Sequence, residues 1–194
     1  MDILFKETKD KTSKILSWGI MIVNVTRPIN HAINIVFWLV IFVVKIQTEI
    51  LIDAPLGVVF EYYTNPDYIK QAWPSDIVKE SESISGKSSE EGAEMIVEGR
   101  YLGKREEMII EVTQKEQNKR LVTRQTEGPF ESWESIQEFQ SNGDNATLVS
   151  HVINYQLPTT GKIVNFLTGS QAEDKLRQGI EQAAQKVKQK LESP

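Results

Sequence analysis

One stretch, residues 46–74, constrains the fold more than any other part of the chain. It opens with an apolar, β-branched run up to Ile52, which predicts a strand that stops at Asp53-Ala54-Pro55. Pro55 suits the first position of a helix, because it lacks an N–H that would be unpaired there and its φ is already helical. The apolar residues that follow recur at helical spacing, and they are Leu56, Val59, Phe60 and Tyr63. The stretch therefore predicts a strand followed at once by a short amphipathic helix.

A turn and a second short helix complete this stretch. The run Thr64-Asn65-Pro66-Asp67 ends the first helix and begins the next. Asn65 has the side chain to cap free N–H groups, and the carboxylate of Asp67 lies favourably in a first helical turn. We therefore expect two short helices between the first strand and Trp73-Pro74.

The order of these fragments resembles the opening of the START-like superfamily, also described as SRPBCC or the polyketide cyclase/dehydrase and lipid-transport family. By pattern, the resemblance extends from about residue 45 to the C terminus. Because this superfamily fixes a fold better than it fixes a function, the resemblance implies an architecture first. The fragments that carry it are Ile52-Asp53-Ala54-Pro55, Val58-Val59-Phe60, Asn65-Pro66-Asp67 and Trp73-Pro74.

Six further strands and a long terminal helix are predicted in the rest of the chain. Beyond Pro158-Thr159-Thr160-Gly161, apolar residues recur at three- and four-residue steps as far as Leu191, which predicts the helix. Alternating or apolar runs bounded by turn residues predict the strands. These lie at residues 76–84, 92–102, 104–114, 120–126, 130–140 and 146–157.

This order is that of the helix-grip fold, which the resemblance implies. We predict an α+β domain over residues 45–194, in which a curved antiparallel sheet of about seven strands wraps around a long C-terminal helix. Two short helices follow its first strand. A curved sheet and a helix cannot pack flush everywhere, so we expect a cavity between them. Residues 1–44 are predicted to be an N-terminal extension with an apolar helical segment.

The apolar part of the extension has three interpretations. Residues 29–46 approach the roughly 20 apolar residues that a bilayer-spanning helix needs, which predicts a membrane anchor. Alternatively, Arg27-Pro28 folds the segment into a hairpin at the membrane surface. In the third interpretation the start site is over-extended and the protein begins near Val43 or Val44. We expect membrane association through residues 29–46 and an otherwise cytoplasmic protein.

Composition argues against several classes of function. A net charge of −5 and a pI near 5.2 argue against a nucleic-acid-binding protein, which normally presents a basic face. The sequence contains no cysteine, so disulfides, zinc thiolates and cysteine nucleophiles are excluded. Two histidines are too few for a multi-histidine metal site. No phosphate-binding loop, nucleophile elbow or metal motif is present, and we expect no cofactor and no metal.

Inward-facing residues of the predicted strands and helices are the candidates for lining the cavity. They mix aromatic and apolar side chains with a few polar groups, which suits a large and mostly apolar ligand. For Met95, Met108 and Phe166, packing in an ordinary core is the competing interpretation. The candidates are Trp73, Met95, Tyr101, Met108, Arg124, Trp133, His151, Tyr155 and Phe166.

His151 and two arginines carry more specific hypotheses. His151 lies on the apolar face of its strand and has the near-neutral pKa that general acid–base catalysis uses. No carboxylate pairs with it in a recognisable motif, and a hydrogen-bonded core histidine is the simpler interpretation. Arg100 and Arg124 can meet the carboxylate or phenolate of a ligand, or they pair with the many glutamates nearby.

The resemblance implies binding or transport of a hydrophobic small molecule, such as a lipid, isoprenoid, quinone or polyketide-like ring. Because no acid–base constellation is evident, a binding protein is favoured over an enzyme. One alternative is a cyclase or dehydratase that acts on such a ligand, with His151 as a weak catalytic candidate. Another is a protein-interaction module that uses the outer face of the sheet.

Overall fold

The computed structural model describes residues 19–25, 37–65, 67–84, 90–101, 104–158 and 162–193. Side chains are described from residue 43 onward, with the exception of residues 162–172 in the terminal helix. The order of the elements confirms the predicted series of a strand, two short helices, six strands and a terminal helix. The elements are β1 (Gly19–Val25), β2 (Phe37–Ile52), α1 (Leu56–Thr64), α2 (Tyr68–Ala72), β3 (Val78–Ser83), β4 (Glu94–Tyr101), β5 (Lys104–Glu116), β6 (Arg120–Glu127), β7 (Ser132–Ser141), β8 (Thr147–Gln156) and α3 (Lys162–Glu192).

The described strands form one antiparallel sheet in the order β1-β2-β8-β7-β6-β5-β4-β3. Strands β3 to β8 follow one another as a meander, and β2 closes against the last of them, with Ile46 opposite Ile153 and Ile52 opposite Thr147. The seven strands β2 to β8 are the predicted set, which confirms the helix-grip class. β3, whose polar sequence predicts a position near the edge, is the last strand on its side of the sheet.

The described part of the N-terminal extension differs from the predicted apolar helix. Residues 37–46 belong to β2, and β1 pairs with the first half of that strand, from Gly19 opposite Val43 to Val25 opposite Phe37. A run rich in β-branched residues at positions 40–44 explains this outcome, because such side chains fit the pleated surface of a sheet. A helix over residues 29–46 is therefore wrong for its described residues.

The membrane hypothesis and the domain boundary stay predictions. Residues 1–18 and 26–36 lie outside the described part of the chain, and they include most of the segment before β2. Within the described residues, no helix has both the length and the apolar character needed to cross a membrane. β2 runs across the predicted boundary between residues 44 and 45.

Two apolar clusters hold the helices against one face of the sheet. In the first, Phe60 of α1 packs edge-on against Phe139 of β7 with ring centroids 5.2 Å apart, and Val187 of α3 is fully buried. In the second, Ile180 of α3 shares the core with Ile153 of β8. Burial of such a side chain contributes about 1.5–3 kcal/mol to folding. The helix α3 is thereby fixed across the sheet.

The junction between β2 and α2 follows the predicted pattern with a shift of one residue. Pro55 is the N-cap of α1 rather than its first helical residue, and its carbonyl accepts the N–H of Val59 at 3.1 Å. The side chain of Asn65 accepts the N–H of Asp67 at 2.9 Å just before α2, which is a common use of asparagine at such a turn. These contacts position Tyr63 and Tyr68 above the sheet, where both are buried.

Candidate functional site

An inner cavity lies between the sheet and the helices. Residues from α1 to β8 and from α3 surround it, and it holds about 80 Å³ of free space for the centres of water molecules. Most of its wall is apolar and includes Ile69, Trp73, Met95, Val97, Met108 and Leu176. This is the cavity that the mismatch between a sheet and a helix predicts.

Strand register fixes one side of this wall. Met95 and Val97 of β4 lie opposite Ile110 and Met108 of β5, and all four side chains are buried. Side chains at alternate positions of a strand share one face. A slip of one residue would turn the whole set outward, so the register of these two strands determines the shape of the cavity.

Polar side chains from β7 and β8 form one end of the inner cavity. The hydroxyl oxygen of Ser135 lies 2.7 Å from Nε2 of His151, and both residues are buried. The two strands are paired so that His151 is opposite Gln137, which makes Ser135 and His151 diagonal neighbours on the same face. The hydrogen bond satisfies both groups away from bulk water.

Burial controls the charge of this pair. It lowers the pKa of His151 from 6.5 to about 4, because the imidazolium form would lose its hydration. The imidazole is therefore neutral at neutral pH, with one nitrogen that donates a hydrogen bond and one that accepts. It offers a ligand a hydrogen-bonding group without a charge.

Further polar side chains extend the polar end toward α1 and α2. The rings of Tyr63 and Tyr68 lie 4.6 Å apart, and both residues line the inner cavity together with Gln137. Burial raises the pKa of both tyrosine hydroxyls above the ordinary value, so they stay protonated. Together with Ser135 and His151, they place donors and acceptors at one end of an otherwise apolar cavity. A few convergent polar groups in an apolar pocket are typical of small-molecule sites.

An outer cavity lies beside the inner one, with about 220 Å³ of free space for the centres of water molecules. Four residues line both cavities and therefore form the partition between them: Ile77, Tyr101, Phe130 and Leu176. The rings of Tyr101 and Phe130 meet edge-on with centroids 6.0 Å apart. Tyr155 lies on the outer side of this partition and packs against Phe130 at 5.3 Å.

Charged groups distinguish the outer cavity from the inner one. Four cationic residues line it, together with Asp76; they are Lys79, Arg100, Arg105 and Lys175. Glu98 of β4 pairs with Lys79 at 3.2 Å and with Arg105 at 3.6 Å. Among the described residues, no cluster of three or more histidine or carboxylate side chains is placed to hold a metal ion.

Most of the residues that the sequence singled out line the two cavities. Tyr155 lines the outer cavity, and Tyr101 lines both. A direct role in ligand contact stays a prediction for each of them. Those on the inner cavity are Trp73, Met95, Tyr101, Met108, Trp133 and His151.

Two of the predicted ligand contacts fall elsewhere. Arg124 is exposed and its guanidinium binds the carboxylate of Glu134 at 2.8 Å, which is the alternative that its sequence context offered. Its neighbour Thr123 lines the inner cavity instead, because successive side chains of a strand point to opposite faces. The side chain of Phe166 lies outside the described part of the chain.

Sequence reasoning missed the partner of His151. Ser135 and Gln137 follow Trp133 at steps of two along β7, so all three share its inward face. Trp133 is itself a predicted lining residue, and the two-residue spacing along the strand identifies Ser135 and Gln137 as its neighbours on the same face. The pairing of Ser135 with His151 also needs the register between β7 and β8, which no local pattern gives.

Comparison with known proteins identifies the fold. No family model matches the sequence, and no curated protein matches it. Solved structures do match. A protein of Thermus thermophilus superposes with a TM-score of 0.64 at 18% identity, over 76% of this chain and 96% of that one.

Two further structures extend this result. A START superfamily protein from Mycobacterium smegmatis gives a TM-score of 0.55 at 14% identity, over 76% of this chain and 97% of that one. The major latex-like protein 151 of Panax ginseng gives 0.58 at 12% identity, over 78% and 99%. The chain therefore has the START-like fold that its sequence resembles, and at these identities the likeness concerns the fold.

Proposed function

We propose that this protein binds a hydrophobic small molecule in the inner cavity. The observation that carries the proposal is an apolar cavity with hydrogen-bonding groups gathered at one end. The apolar body of the ligand packs against the β4–β5 wall, and a neutral polar group on that body can bond to Ser135, His151 and the tyrosines. This function agrees with the one that the START-like resemblance implies.

The size of the cavity constrains how binding occurs. Its free space of about 80 Å³ lies below the roughly 300–1,000 Å³ of sites that hold drug-sized ligands. A large ligand must therefore displace side chains as it enters. Met95 and Met108 line the cavity, and their unbranched, flexible side chains are well suited to repack around a guest. Binding therefore enlarges the cavity.

The hydrogen bond between Ser135 and His151 supports a second candidate function. Its length of 2.7 Å is that of a nucleophile and its general base, as a cyclase or dehydratase with a covalent step would need. A histidine whose pKa is about 4 is a weak base at neutral pH, however, and base strength limits proton abstraction. The low pKa therefore favours binding over catalysis.

Two opposite substitutions at one wall position test the proposal. Val97 is 2% exposed and lines the inner cavity, so Val97→Phe fills the cavity and Val97→Ala enlarges it. We expect Val97→Phe to weaken binding of a neutral apolar probe, N-phenyl-1-naphthylamine, by roughly tenfold or more. Val97→Ala should bind it at least as tightly as the wild type does. Fluorescence titration measures both affinities.

Both variants must be folded for this comparison to hold. Thermal unfolding monitored by circular dichroism checks that they are. Equal probe affinity in the wild type and both folded variants would place binding outside the inner cavity. Absence of saturable binding to the wild type would contradict the proposed function itself.

A further inference from the structure

The outer cavity carries an excess of positive charge on a protein whose net charge is −5. Its four cationic lining residues outnumber its one acidic lining residue, Asp76, and the carboxylate of Glu98 is shared between Lys79 and Arg105. The ion pairs of the described residues leave Arg100 and Lys175 without a carboxylate partner. These two cations are available to an anion from outside the protein.

The pairing of β4 with β5 concentrates this charge. Arg100 and Arg105 lie directly opposite each other across the two strands. Like charges in that position repel, because the Cβ atoms of opposed residues are about 5 Å apart. A bound anion between the guanidinium groups would relieve the repulsion and accept hydrogen bonds from both of them.

The outer cavity also adjoins the proposed ligand site. Ile77, Tyr101, Phe130 and Leu176 line both cavities, so a molecule longer than either cavity would cross this partition. On one side it would meet apolar wall, and on the other it would meet guanidinium and ammonium groups. The two cavities together therefore match a molecule with an apolar body and a negatively charged end.

We propose that the ligand is an amphipathic anion, whose apolar part occupies the inner cavity and whose carboxylate or phosphate binds Arg100, Arg105 and Lys175 in the outer cavity. This inference rests on the proposed function and assigns a chemical class to its ligand. The charged end determines the orientation of the ligand, because the polar end of the inner cavity is neutral and the outer cavity is cationic.

Calorimetric titration of the full chain with decanoate and with 1-decanol tests the assignment. The two ligands share an alkyl chain and differ in charge at about pH 8, where a carboxyl group is ionised. We expect decanoate to bind the wild type about fivefold more tightly than decanol, the effect of two partly exposed ion pairs. Salt should reduce this preference because it screens exposed charges.

A pair of double variants separates the site from general electrostatics. Arg100→Gln with Lys175→Gln removes the two unpaired cations, and we expect it to lower decanoate affinity about fivefold and leave decanol affinity unchanged. Arg124→Gln with Lys186→Gln changes the net charge equally at exposed positions that line neither cavity. This control should bind both ligands as the wild type does. Titration with inorganic phosphate tests for a site that takes any free anion.

Three results would overturn the inference. Equal affinity of the wild type for decanoate and decanol would show that charge plays no part, although the proposed function would stand. Equal loss of decanoate binding in the two double variants would assign the effect to net charge. Inorganic phosphate that binds as tightly as decanoate would indicate a free-anion site. Failure of both decanoate and decanol to bind would instead contradict the proposed function, and the inference would fall with it.

Discussion

His151 lies in the middle of β8, between strands β2 and β7, with 7% of its surface exposed. Its hydrogen bond with Ser135 makes a neutral pair at the polar end of the inner cavity. Burial keeps the imidazole uncharged at neutral pH, as its pKa of about 4 indicates. The same burial makes the residue a source of acid sensitivity.

The stability of the protein should therefore depend on the protonation of His151. The unfolded chain binds a proton at this residue below about pH 6.5, whereas the folded protein does so only near pH 4. Because the unfolded state binds more protons between these values, the free energy of unfolding falls as the pH is lowered from 6.5 to 4. Across this whole pH range, the titration of His151 lowers the free energy of unfolding by roughly 3 kcal/mol.

Comparison with His151→Gln isolates this contribution, since glutamine does not titrate and can still bond to Ser135. Urea denaturation across this pH range should show a steeper loss of stability in the wild type than in the variant. The other histidine, His31, is present in both proteins, so its titration does not contribute to the difference between their stability curves. Parallel stability curves would contradict a buried neutral histidine.

At the residue scale, the sequence identified inward positions well where strands alternate strongly. Met95, Tyr101 and Tyr155 face the cavities, as the period of two predicted. The charge of Arg124 predicts a ligand contact, but the residue lies on the outer face of β6, where it pairs with Glu134. Arg100 lines the outer cavity, although it is exposed and alternates with Tyr101 along β4. Predicting where a charged side chain lies therefore requires knowledge of the strands beside it.

At the scale of elements, Gly179 of α3 lies against Trp73 and Ile77, which follow α2. A Cβ at this position would overlap Cδ1 of Ile77 and lie 3.4 Å from Cζ3 of Trp73. Both of these side chains line the inner cavity, and Ile77 also lines the outer one. The absence of a side chain at Gly179 thus leaves room for the cavity wall.

We expect Gly179→Ala to weaken ligand binding with little change in stability. Alanine favours the helix by about 1 kcal/mol, which offsets the displacement of the flexible end of Ile77. The displaced methyl group reduces the space at the partition, so affinity for N-phenyl-1-naphthylamine should fall severalfold. Denaturation in urea and fluorescence titration measure the two effects.

Gly57→Ala in α1 is the matched control. An added Cβ at Gly57 has no heavy atom within 4 Å, so this substitution should stabilise α1 and leave probe binding unchanged. Wild-type affinity in Gly179→Ala would show that Ile77 can move away from the cavity. A loss of affinity in both variants would show that helix stability, rather than the partition, controls binding.

The elements of the domain were predictable from local signals, whereas the N-terminal extension was not. Strand alternation and turn residues mark β3 to β8 clearly. Residues 37–44 are apolar without a period, and such a run is compatible with a buried strand or a helix. Pairing with β1 on one side and β8 on the other resolves this in favour of the strand. That information lies in distant parts of the chain.

At the scale of the whole molecule, sequence reasoning predicted a cavity between the sheet and α3 but not its division in two. The partition depends on how Tyr101 of β4, Phe130 of the β6–β7 connection and Leu176 of α3 meet. Packing at this level follows from side-chain volumes in three dimensions, which no pattern along the chain encodes. The cationic outer cavity was unforeseen for the same reason.

The central claim is that the folded protein holds a hydrophobic small molecule in the inner cavity. Native mass spectrometry of the gently purified full chain, followed by solvent extraction of the bound fraction, tests it most directly. We expect the wild type to carry a small apolar molecule and Val97→Phe, purified in the same way from the same host, to carry much less of it. A bound molecule present equally in both proteins, or a wild-type mass equal to that of the bare chain at every cone voltage, would contradict the claim.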